Sequence, residues 1–72
     1  MQLIDDVADR VAIEVLKLVD DTGNVDLIDE VKKVIGTSSQ TLEEAYMTAV
    51  RVRRAEKRAM ELIAQLRKAN GV

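Results

Sequence analysis

The densest group of side chains able to do chemistry is Arg51-Val52-Arg53-Arg54-Ala55-Glu56-Lys57-Arg58. Guanidinium and ammonium groups in this density suit phosphate oxygens or carboxylates, through charge-assisted bonds that weaken as salt is added. On a helix, Arg51, Arg54, Lys57 and Arg58 form a face that would meet an acidic protein partner or nucleic acid. The same run also fits a solvated face, or pairing with acids of this or another copy. No aromatic residue interleaves with the bases, so stacking on a single strand has no support and nucleic acid is the less favoured partner. Catalysis has little to stand on. The chain holds no His and no Cys, which removes the commonest general base, thiol nucleophiles and thiolate metal sites. Ser38, Ser39 and Thr41 lack an accompanying base, and Asp5, Asp6 and Asp9 lack pocket-forming neighbours. The expectation is a protein that is not an enzyme and carries no cofactor and no metal.

Two stretches look like known motifs. Asp20-Asp21-Thr22-Gly23-Asn24-Val25-Asp26 looks like the start of an EF-hand calcium loop. That chemistry needs oxygen ligands at loop positions 1, 3, 5 and 12 and a Gly at 6. Counted from Asp20, position 6 is Val25 and position 12 is Val31, so the acids read better as helix-end residues. Gly36-Thr37-Ser38-Ser39-Gln40-Thr41-Leu42 resembles the turn of a helix-turn-helix, with Val31 and Ile35 before it and Leu42 and Ala45 anchoring the second helix. Over residues 31–46 that resemblance would present Ser39, Gln40 and Glu43 to a major groove, with 51–58 as the basic face. Glu43 and Glu44 would meet phosphate with the wrong sign. A helix end followed by a helix start explains the same residues.

Charge is unevenly spread. The net charge is −2. Residues 1–44 carry −7 and residues 45–72 carry +5, so the halves attract each other or an outside partner. Glu56 lies near the edge of an apolar stripe; buried, it would need a partner, either Arg53 three residues earlier or a base from another helix, and partial exposure is the favoured reading.

The elements that must hold these groups are helices. Gly23, Gly36 and Gly71 cut the chain into three segments. Ile4, Val7, Ala8, Val11, Ala12, Val15, Leu18 and Val19 recur at helical spacing and predict a helix over about 3–21. Leu3 and Leu16 widen its apolar arc to roughly 180°, more than one neighbouring helix covers. Leu27, Ile28, Val31, Val34 and Ile35 predict a second helix over 25–35, closed by Gly36. Thr41 with Glu44 reads as a capping box, with Ser38 or Ser39 as other possible caps. The third helix then runs over 41–69 and ends at Asn70-Gly71. Its apolar face is Ala45, Ala49, Val52, Ala55, Ala59, Leu62, Ile63 and Leu66. Val and Ile favour strands, but here they recur at helical spacing over windows too long for strands.

The fold predicted for residues 1–72 is one all-α domain, two shorter helices lying end to end along a long C-terminal one. A chain this small without disulfides or metal is marginal alone, so the three-helix bundle is expected to be completed by oligomerisation. Ile4, Val7, Val11, Val15 and Leu18 are the expected oligomer face. The function expected is a small helical interaction module, homodimeric, acting as adaptor, regulator or inhibitor; the competing class is a helix-turn-helix DNA-binding regulator. No apolar run reaches the ~20 residues of a membrane span, and the amino end lacks a basic segment followed by an apolar core. A cytoplasmic location is expected.

Overall fold

The computed structural model describes residues 2–72. They form three helices, α1 (Leu3–Thr22), α2 (Leu27–Ser38) and α3 (Gln40–Ala69). Asp5 and Asp6 stand in the first turn of α1, where negative charge suits the helix dipole. Gly23 ends that helix in the left-handed conformation, at φ 72°, and its N–H donates to the Val19 carbonyl at 2.7 Å. The Asn24 side-chain oxygen then accepts from the Asp26 N–H at 3.1 Å, a local turn that swings the chain into α2.

The second helix starts two residues later than its pattern predicts and does not stop at Gly36. Gly36 has ordinary helical backbone, and α2 continues to Ser38. Ser39 alone, extended at φ −155°, separates α2 from α3. Its hydroxyl accepts from the Leu42 N–H at 3.1 Å, so Ser39 is the cap and the Thr41–Glu44 pairing is not used. Leu42, not a Glu, occupies the third helical position, which leaves no side chain to close a capping box.

The first half of α1 lies beside the first turns of α3: Leu3, Ile4 and Val7 border a cleft with Ser39 and Leu42. The end of α1 meets α3 further along, where Leu16, Val19 and Asp20 face Arg53 and Lys57. The two helices therefore run in the same direction. The shorter α2 returns between their ends, with Ile28 beside Tyr46 and Gly36 beside Glu43. The core is Ala8, Ala12, Val15, Ile28, Tyr46 and Val50. Ala8 and Ala12 let α1 approach closely, and the Tyr46 ring fills the space between helices. Its hydroxyl donates to the Ile28 carbonyl at 2.9 Å, so burying its one polar atom costs little.

The side-by-side arrangement holds only for part of α3. From Arg54 onward every residue is exposed, and the last turns extend past both shorter helices. The cause is the return of α2: it folds back instead of continuing the line of α1, so the two do not add in length. The molecule is correspondingly long and thin, 50 × 30 × 13 Å, with a radius of gyration of 14.7 Å. A compact chain of this size would have about 11 Å.

Candidate interaction surface

The side of α3 that faces α1 and α2 is Leu42, Ala45, Tyr46, Met47, Ala49, Val50 and Arg53. At 100° per residue these fall on one broad arc centred between Arg53 and Tyr46. Val52, Ala55, Ala59, Leu62, Ile63 and Leu66 fall on a different arc, its centre turned by roughly 140° around the helix. The α3 face read from the sequence merges these two arcs into one. The structure separates them: the first is covered, and the second is bare along its whole length. Among its larger members exposure runs from 43% at Ile63 to 60% at Val52. Tyr46 and Val50 are the core residues that the merged face omitted. Their signal was available, since Leu42, Tyr46 and Ala49 repeat at the i, i+4, i+7 spacing.

The basic cluster divides in the same way. Arg53 Nε donates to Asp9 Oδ1 at 2.7 Å and its Nη2 to Asp9 Oδ2 at 2.5 Å, a two-point fork across the α1–α3 seam. The hydrogen bond from Arg53, reinforced by its charge, outweighs partial burial and holds the Asp9 carboxyl below the usual aspartate range. Asp9 and Glu56 in turn hold the Arg53 guanidinium in its charged form more firmly than usual. Arg53 Nη1 also reaches Glu56 Oε1 at 3.2 Å, the pairing expected from their spacing, and Glu56 is exposed. Lys57 bonds Asp20 at 3.1 Å, so one member of the expected partner face is turned onto its own α1. Arg51, Arg54 and Arg58 make no ion pair among the described residues and stand exposed in a row at i, i+3, i+7.

The expected oligomer face of α1 is distributed between interior and surface. Val15 is buried in the chain's own core, Ile4, Val7 and Val11 are half-buried, and Leu18 is exposed. The wide arc of α1 is largely taken up by α2 and α3, and the bare apolar surface lies mainly on α3. Of the groove-reading positions, Ser39 has its hydroxyl engaged as a helix cap. Glu43 is half-buried with its side chain laid against Gly36, and Gln40 is exposed.

No group of three or more potential metal-ligating side chains converges among the described residues. No helix of the structure is long and apolar enough to cross a membrane. Where α1 ends on α3, Leu16 and Val19 line a cleft together with Arg54, Arg58, Glu61 and the Asp20–Lys57 pair. Comparison with protein-family models, with curated proteins and with solved structures yields no match.

Proposed function

We propose that the chain is a small non-enzymatic interaction module, homodimeric, which acts as an adaptor, regulator or inhibitor by occupying a partner's surface. The observation that carries this reading is the bare apolar arc of α3, centred on Leu62 and Leu66 and standing outside the core. A soluble helix normally turns such an arc toward another element, because leaving it in water forgoes about 25 cal/mol per Å² of apolar area. The arc is rimmed by charged residues, the pattern of a contact surface. For the competing DNA-binding class the support left is the exposed row Arg51, Arg54 and Arg58, together with Gln40.

Sedimentation equilibrium tests the reading. At ~100 µM the chain should sediment at twice its 8.0 kDa monomer mass. The Leu62→Lys/Leu66→Lys double variant should sediment as monomer with helicity retained, since neither residue belongs to the core. A wild-type chain that is monomeric throughout, yet is retained on generic duplex DNA with a steep salt dependence, would overturn the reading in favour of the DNA-binding class.

A further inference from the structure

We infer that the bare arc of α3 pairs with the same arc of a second copy in antiparallel orientation, with Ala59 opposite Leu62 of the other protomer. The inference rests on the dimeric reading above and adds the geometry. Val52, Ala55, Ala59, Leu62, Leu66 and Ala69 are spaced alternately by three and four residues. That is the seam of a two-helix coil, in which a side chain from one helix inserts between those of the other. In this seam the large and small residues are not mixed at random.

Placing Ala59 against Leu62 of the second copy fixes every other layer. Ala55 then meets Leu66 of the other chain, Val52 meets its Ala69, and the two-fold axis repeats each pairing in reverse. Each layer joins one alanine to one larger residue. The two helices can thus keep one separation from end to end, as close packing requires. A parallel pair would stack alanine on alanine at 55 and 59 and leucine on leucine at 62 and 66. The first two layers call for a shorter separation than the last two, and straight helices cannot supply both.

On the margin that carries Glu56 and Arg67, charge agrees with the antiparallel register. Glu56 and Arg67 lie on the same margin of the arc, both exposed. In this register Glu56 is level, to within about half a turn, with Arg67 of the second copy. Glu56 bonds Arg53 through Oε1, and its Oε2 has no hydrogen-bond partner among the described residues. Arg67 makes no ion pair among them. The pairing would therefore form twice across the two-fold axis without displacing a bond already made. The arc is also unobstructed, because α1 and α2 occupy the other sides of α3.

The chain has no cysteine, so single labels can be placed without background. Arg51→Cys, Arg58→Cys and Gln65→Cys lie along one margin of the seam. Each would be spin-labelled in turn and the distance between the two copies measured by pulsed electron spin resonance. The register sets their offsets along the axis at about 28, 8 and 14 Å respectively, so Arg58 gives the shortest separation and Arg51 the longest. A dimer with equal separations at all three sites would be parallel and would overturn this geometry while leaving the dimeric reading intact. A chain that stays monomeric by mass at ~100 µM would overturn both.

Discussion

Asp9 and Arg53 tie the one acidic helix to the one basic helix, and their protonation gives the fold a readable pH dependence. The Asp9 carboxyl is held below its ordinary value by the Arg53 hydrogen bond and charge, so the folded chain prefers the ionised form more than the unfolded chain does. The stability this adds is fully present above the unfolded value of roughly 3.9, and it is lost as the pH falls through the lower folded value. Asp9→Asn should therefore melt below the wild type near neutrality, and the two melting curves should converge in acid. Thermal melts followed by circular dichroism from neutral to strongly acidic buffer would show it; a gap that stays constant with pH would refute it. Tyr46 is the residue that sequence reading placed least well. It is the only aromatic and it anchors the core, yet it stands beside the apolar stripe that dominates α3, so a single merged face passes it by.

Helices α1 and α3 were legible almost to the residue, because apolar periodicity, a left-handed glycine and Asn70-Gly71 all point the same way. The end of α2 was not, because a glycine after an apolar run signals a helix end only if its backbone turns left-handed. Gly36 does not, whereas Gly23 does. The two glycines should answer substitution in opposite directions. At Gly36 an added methyl meets only the far end of the Glu43 side chain, which can swing into solvent. Gly36→Ala should then stabilise by about 0.5–1 kcal/mol, the usual advantage of alanine inside a helix. At Gly23 there is open space, but φ is 72°, and Gly23→Ala should cost roughly 1–2 kcal/mol. Urea midpoints moving up for the first variant and down for the second would bear this out. The bare arc on α3 was the hardest to read. Its residues were seen, but how far α2 folds back decides which of them are covered, and that is a tertiary fact absent from helical spacing.

At the scale of the whole molecule the question is what the opposed charges of its two halves do. The net −7 of residues 1–44 and +5 of residues 45–72 meet within the chain at Asp9–Arg53 and Asp20–Lys57. The Lys57–Asp20 pair is largely exposed on both sides, and pairs of that kind contribute about 0–1 kcal/mol and are screened by salt. The proposed assembly through the apolar arc would respond the other way, since excluded salts such as sulfate strengthen burial. The sign of the salt response thus separates the two contributions. With Ala, Leu and Val across the seam and one charge pair at its margin, dimerisation should hold or tighten as sulfate is raised. The exposed row Arg51, Arg54 and Arg58 makes no ion pair among the described residues, and Arg51 and Arg58 only border the proposed seam. Replacing all three with Gln should leave helicity, melting temperature and dimer mass unchanged and remove only affinity for an acidic partner or a phosphate backbone. Circular dichroism and sedimentation equilibrium on the triple variant decide it. If that variant unfolds or falls to monomer, the arginine row belongs to the fold or the seam and is not a surface kept for a partner.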